Sequence, residues 1–174
     1  MAFVLFATSF GTCGVAWNES GLTRFQLPGE TDASVEKRLG SEGGGRLDED
    51  EAPEWVRSAV TRVRRHLGGE MQDFTDLPLD RTLASEFQLA VYREALLIRP
   101  GTIKSYGQIA EALGLGAAGA RAVGVALATN PWPLVVPCHR VVAANGKMTG
   151  FSAPGGIRTK TRLLAIEGSE LISE

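Results

Sequence analysis

The 174-residue sequence predicts a mixed α/β fold in which a strand-rich first half precedes a mostly helical second half. Short apolar runs broken by turn residues fill positions 2–27, and such alternation belongs to half-buried strands. From about residue 81 the apolar residues recur at helical spacing instead. Charge divides at the same place: residues 1–80 hold 8 Lys and Arg against 14 Asp and Glu, and residues 81–174 hold 10 against 6. Two domains are expected, 1–80 and 81–174, the second better suited to a polyanionic partner.

Residues 2–8, 13–18 and 22–27 read as strands of a small antiparallel sheet, interrupted at Gly11, "NESG" and "PGE". A helix follows over 32–39. Residues 40–52 mix glycines with the acids of "DEDE" and read as a mobile, exposed loop. Helix 53–67 carries Trp55, Val56, Val60 and Val63 as its apolar stripe, with "GG" as its stop and His66 at a solvated end. Residues 84–97 form a helix on Phe87, Leu89, Val91, Ala95 and Leu96 that ends at "RPG". Then "TIKSYGQIAEALG" (102–114) gives a helix of about ten residues, and "AAGARAVGVALATN" (117–130) another, stopped at Asn130-Pro131.

Two short helices joined by a glycine-containing turn form the pattern of a helix-turn-helix. The second offers Ala, Gly and Val with a lone Arg121, where a base-reading helix presents Arg, Asn or Gln. From this segment alone, packing against neighbouring helices is the simpler reading and close approach to a minor groove is the other.

No apolar run approaches the roughly 20 residues a membrane span needs, and the N-terminus has no positive region ahead of its apolar residues. A cytoplasmic protein with no membrane partner is expected. Cys13 and Cys138 are too few for a disulfide framework. With His66 and His139 the only histidines, and no CxxC or HExxH spacing, no metal site is expected.

The stretch "LVVPCHRVVAANG" (134–146) carries the most chemistry. Thiolate is the nucleophile, and a free thiol with a pKa of about 8.5 is mostly protonated at neutral pH, so a reactive cysteine needs a base or a positive field. His139 and Arg140 adjoin Cys138, and Glu167, ending the amphipathic "TKTRLLAIEG", offers a carboxylate to orient the histidine. Taken alone, the Cys-His pair also reads as a buried structural thiol.

In order along the chain, "SYGQIA", "ARAVGVALATNP", "VVPCHRVV" and "RLLAIEG" closely resemble the O6-alkylguanine-DNA alkyltransferases, continuously over roughly 84–168 and more weakly in the N-terminal sheet. The resemblance implies an N-terminal ribonuclease-H-like α/β roll and a C-terminal DNA-binding and alkyl-acceptor domain with a winged helix-turn-helix. It implies a cofactor-free monomer that flips an O6-alkylguanine out of double-stranded DNA and takes the alkyl group once, with O4-alkylthymine as a further candidate lesion.

Carried onto this sequence, the family makes Cys138 the acceptor, His139 its water-linked base and Glu167 the residue that orients His139, with Asn130 bracing the turn before the cysteine. Tyr106 would turn out the nucleotide and bond the guanine, and Arg121 would fill the vacated stack. Ala120, Ala122 and Gly124 would let the helix approach the minor groove. Val141, Phe151, Ser152, Pro133 and Trp132 would line the alkyl pocket, and Arg140 and Lys160 would serve substrate or DNA, a surface role being the alternative for Lys160. The family's occasional N-terminal zinc site lacks matching residues here.

The sequence departs from the family in "TGFSAPGG", about two residues longer than usual, in Phe151 for a common tyrosine, and in Val125 where glycine or alanine is frequent. A non-catalytic lesion-binding or regulatory helix-turn-helix protein is the alternative of a different class, and a thiol hydrolase or redox sensor is a third. Relatives of the lesion-binding kind replace the nucleophile, so Cys138 argues against that reading.

Overall fold

Alternation decides the first sheet. In β1 (Ala2–Thr8), Phe3 and Leu5 join Ala16, Val35 and Leu39 in one cluster, while Phe6, on the opposite face, lies beneath the Arg64 guanidinium at 5.5 Å. β2 (Gly11–Asn18) pairs antiparallel with β1 from Ala2 against Trp17 to Thr8 against Gly11, and β3 (Gly21–Gln26) pairs antiparallel with β2. Helix α1 (Asp32–Gly40) begins at a Thr31–Ser34 capping box and covers the Phe3 face. Gly14 permits that close approach, since a Cβ there would overlap Leu39 and crowd Val35.

The expected loop 40–52 is not wholly irregular. It carries β4 (Gly45–Arg46), which adds to β1 in parallel and completes the order β3-β2-β1-β4, and a short 3-10 turn at Glu49–Glu51. Glu49 is tied to the Arg64 guanidinium of α2 (Glu54–Leu67), and the same arginine donates to the Ala7 carbonyl at 2.9 Å. Local glycine and acid content gave no sign of these long-range partners. Val56, Val60 and Val63 of α2 are buried as the stripe predicts. His66 corrects the sequence reading: it is fully buried, its Nδ1 accepts from the Gln72 N–H at 3.1 Å, and its ring packs on Phe74.

This computed structural model describes residues 1–146, 151 and 153–169, and the chain divides into two units, Met1–Asp80 and Arg81–Glu174. The second unit opens with α3 (Glu86–Leu96), capped by Ser85 and Gln88 in the same S-x-x-Q box that Ser105 and Gln108 make for α4 (Tyr106–Ala112). Such caps satisfy N–H groups that a helix start leaves free, each worth about 1 kcal/mol. In α3 the core is built by Val91, Tyr92 and Ala95, while Phe87 is exposed. A strict apolar stripe misplaces the tyrosine because its hydroxyl finds a partner inside, the Ala126 carbonyl at 2.9 Å.

Helix α4 is shorter than expected, since Lys104–Ser105 form strand β5 and not a first turn. A 3-10 turn at Ala117–Gly119 leads into α5 (Ala120–Ala128), which packs on α3 and α4. β6 (Val141–Val142) pairs in parallel with β5, and α6 (Gly156–Ile166) closes the described part of the unit. No helix among the described residues is long and apolar enough to cross a membrane.

Candidate active site

Asn130, just beyond α5, builds the turn that delivers the cysteine. Its side-chain oxygen accepts from the Trp132 N–H at 2.9 Å and its amide donates to the Val136 carbonyl at 3.0 Å. Between them Leu134 is buried at φ 74°, in the left-handed region that a branched side chain seldom occupies. Such a turn holds only if its surroundings fix it. Bonds from Val136 N–H to the Trp132 carbonyl and from Cys138 N–H to the Val136 carbonyl, both 2.8 Å, do so.

Cys138, His139 and Arg140 then form a single 3-10 turn, all three buried. His139 is 0% exposed, and its Nε2 lies 2.9 Å from Glu167 Oε1. With Glu167 ionised, Nε2–H donates to it, so Nδ1 is the ring nitrogen left to take a proton. Glu167 caps the C-terminus of α6. Gly101, at φ +87°, lets the turn after α3 pass against its carbonyl, where a Cβ would stand 3.1 Å away.

Burial pushes the Cys138 thiol up. A hydrogen bond with the Asn130 side chain, the positive charge of Lys160 and the backbone of residues 138 and 139 pull the other way. Lys160 is 1% exposed, donates to the Val141 carbonyl at 2.7 Å and stands 5.8 Å from the centre of the Tyr106 ring. The surface alternative for Lys160 is thereby excluded. Tyr106, at the first position of α4, also lies next to α5: a Cβ on Gly124 would meet its ring edge at 3.9 Å. Ala120 is half-buried on α5, and Arg121, Ala122 and Val125 are exposed.

Three of the expected contacts are corrected. Arg140 does not reach outward: Nε and Nη2 donate to the two oxygens of Glu167 at 2.9 and 2.8 Å, and Nη1 donates to the Ile98 carbonyl at 2.7 Å. A 3-10 turn points neighbouring side chains at one carboxylate in a way that adjacency in sequence does not reveal. Trp132 and Val141 are fully buried; Trp132 packs edge-on against Tyr92 with centroids 6.1 Å apart. Pro133 and Phe151 are partly exposed, and Ser152 lies outside the described residues.

Tyr92 is the residue near the site that the sequence reading missed. Burial raises its phenol above the usual range, a hydrogen bond with Thr129 lowers it, and the charge of Cys138 raises it further. An inward-facing tyrosine on an otherwise apolar helix face was the available signal. Cys13, in β2, is buried with its thiol pushed up to about 12, chiefly by burial. It packs as a buried core thiol. No group of three or more His, Cys, Asp or Glu among the described residues is placed to hold a metal ion.

Residues 86–169 match the family model for the 6-O-methylguanine DNA methyltransferase, DNA binding domain. A methylated-DNA–protein-cysteine methyltransferase of Mycolicibacterium paratuberculosis is 45% identical over 117 residues, 67% of this chain and 68% of that protein. A DNA base-flipping protein of Thermus thermophilus is 42% identical over 121 residues, 67% of this chain and 79% of that one. The crystal structure of Mycobacterium tuberculosis OGT in complex with DNA matches with a TM-score of 0.77 at 30% identity, covering 97% of this chain and 93% of that chain. The mixed α/β architecture, N-terminal sheet and helical C-terminal part, is thus shared with a relative bound to DNA. With a buried cysteine, histidine and carboxylate in one cluster and these relatives along most of its length, the chain belongs to the methylated-DNA–protein-cysteine methyltransferase family.

Proposed function

We propose that this chain repairs DNA by moving the alkyl group of O6-alkylguanine onto Cys138, once per molecule, and without a cofactor. The observation that carries the residue assignment is the buried relay from the Cys138 turn through His139 to Glu167, closed at 2.9 Å. His139 Nδ1 takes the thiol proton through a water molecule, and the thiolate attacks the alkyl carbon. The S–C bond forms as the C–O6 bond breaks, and the bonding pair leaves with the guanine. Tyr106, at the edge of the site, supplies a phenol proton toward the departing base. The product thioether has no good leaving group, which makes the reaction single-turnover.

DNA enters along α5. We read α4 and α5 as the helix-turn-helix, with the parallel β5–β6 ladder the candidate for its wing among the described residues. The N-terminal unit is read as a ribonuclease-H-like roll, supported by three antiparallel strands with a parallel fourth at the β1 edge. The exposed small side chains of α5 admit the minor groove, and exposed Arg121 fills the gap left by the flipped nucleotide. A monomer on double-stranded DNA suffices for this geometry.

Incubation with an O6-methylguanine duplex, followed by intact mass and peptide mapping, is the test. One methyl per chain on the peptide that holds Cys138 is expected, and Cys138→Ala should abolish transfer while leaving DNA binding. The likeness to a base-flipping protein favours one competing outcome, tight lesion binding with no mass gain. Methyl found on Cys13, or several lesions repaired per chain, would also overturn the assignment.

A further inference from the structure

Arg140 is a buried charged group of the site that the mechanism above does not use. All three of its donor nitrogens are committed inside the protein: two to the two oxygens of Glu167 and the third to the Ile98 carbonyl. Glu167 therefore divides its charge between a guanidinium and the imidazole of His139, with its side chain 0% exposed.

We propose that Arg140 is a positioning residue that keeps His139 neutral, and so able to accept the Cys138 proton, by drawing the Glu167 charge away from the imidazole. The inference rests on the reading of Cys138, His139 and Glu167 as acceptor, base and orienter. A buried carboxylate facing a histidine alone favours the imidazolium, because the opposite charge stabilises it and no water competes. A histidine already protonated cannot serve as base. The fork of Arg140 offsets that pull twice, by pairing the carboxylate and by placing a positive charge on the far side of it. The Ile98 bond fixes the guanidinium so that the division of charge does not drift.

The other titratable groups around the cluster act in a consistent direction. From α6, Lys160 adds a second positive charge, which favours the thiolate and opposes the imidazolium; from the turn, Cys138 becomes negative only as the proton leaves. From α3, Tyr92 is held as the neutral phenol by burial. Glu167 is thus the group that pulls a proton onto His139, and Arg140 is the group bonded to it.

The test is the rate of benzyl transfer from free O6-benzylguanine, read by intact mass, for the wild type, Arg140→Gln and Arg140→Lys between about pH 5.5 and pH 9. Loss of the cation should move the acid limb of the pH–rate profile up by about one unit or more, a loss that reaches about tenfold on the acid side of the wild-type limb and disappears on raising the pH. Arg140→Lys, which keeps the charge without the fork, should bring the limb back toward its wild-type position. An acid limb at the wild-type pH in Arg140→Gln, with the rate lowered uniformly, would overturn the inference and leave Arg140 a structural tie. Should Arg140→Gln not fold, the ring-nitrogen shifts of His139 in the wild type decide: neutral at pH 7 supports the inference, and imidazolium at pH 7 overturns it. Wild-type protein that takes no benzyl at all would instead remove the reading of Cys138 on which the inference rests.

Discussion

Replacing Glu167 by glutamine leaves the volume of the site almost unchanged and removes one buried charge. The consequence follows from the bonds that charge makes. Arg140 would keep its position against Ile98 with a neutral amide where the carboxylate was, and one of the two former acceptors becomes an NH2 group facing guanidinium donors. Opposite charges about 4 Å apart are worth about 4 kcal/mol at an effective dielectric constant of roughly 20. Measured losses on removing one partner of a buried pair are about 3–5 kcal/mol, in agreement. For a unit spanning Arg81–Glu174 the lower figure corresponds to a fall of at least about 12 °C in its unfolding midpoint.

Urea denaturation and calorimetry of Glu167→Gln measure the loss, and benzyl transfer measures the second effect, a rate lowered about 100-fold or more because His139 loses the group that orients it. The double variant Arg140→Met with Glu167→Gln separates causes. If the unpaired guanidinium is responsible, removing it should recover most of the lost stability without recovering the rate. Stability losses that simply add, or a single variant within about 1 kcal/mol of the wild type, would refute the buried-pair reasoning.

Arg121→Ala should slow repair of an O6-methylguanine duplex more than transfer from free O6-benzylguanine, because only a duplex has a vacated stack to fill; equal slowing of both would place Arg121 in chemistry or folding. Duplex binding should weaken as salt rises, through release of counterions from the phosphates, and an absence of salt dependence would contradict phosphate contact. Lys160→Met should move the rise in transfer rate that accompanies ionisation of Cys138 to higher pH, since the Lys160 charge lowers the Cys138 thiol, and an unmoved rise would contradict that coupling. The Cys13 thiol is held up to about 12, above the ordinary thiol range, so the folded state keeps a proton that the unfolded chain releases. Stability from this group is present below pH 9 and lost as pH rises toward about 12; the same decline in Cys13→Val would show that other groups cause it.

How much could be read in the sequence differs between the halves of the site. The three long strands and the helices of the first unit were legible because each is amphipathic by itself, with a period of 2 or 3.6 set by what it covers. β4 and His66 were not, since a two-residue strand has no periodicity and a histidine at a helix end gives no sign of the phenylalanine it will meet. In the second unit Cys138, His139, Glu167, Asn130 and Tyr106 were singled out through motif order, and the structure brings His139 and Glu167 into contact and ties Asn130 to the turn before the cysteine. The inward turn of Arg140 and the position of Lys160 were missed or left open because both depend on α6 packing against the turn at 138–141, contacts between residues 27 and 19 positions apart, and the burial of Trp132 involves Tyr92 on α3, far away in sequence. A motif preserves residue types and spacing; it does not say which way an arginine faces.

The same packing bears on the proposed single transfer, in which the acceptor Cys138 is buried. Any side reaction of Cys138 with a soluble electrophile would end the molecule's use, so an exposed thiolate would be a fault. Burial raises the thiol, while Asn130, Lys160 and the turn backbone hold the opposing stabilisation in place. In the proposed mechanism the resting site is then set near a balance, with His139 oriented by Glu167 and its protonation restrained by Arg140. A flipped guanine that reaches the site brings the electrophilic carbon and displaces the remaining water, and both changes act on that balance together. Selectivity for the lesion over free electrophiles is on this account a property of where the charges sit around Cys138, and not of the reactivity of the cysteine taken alone.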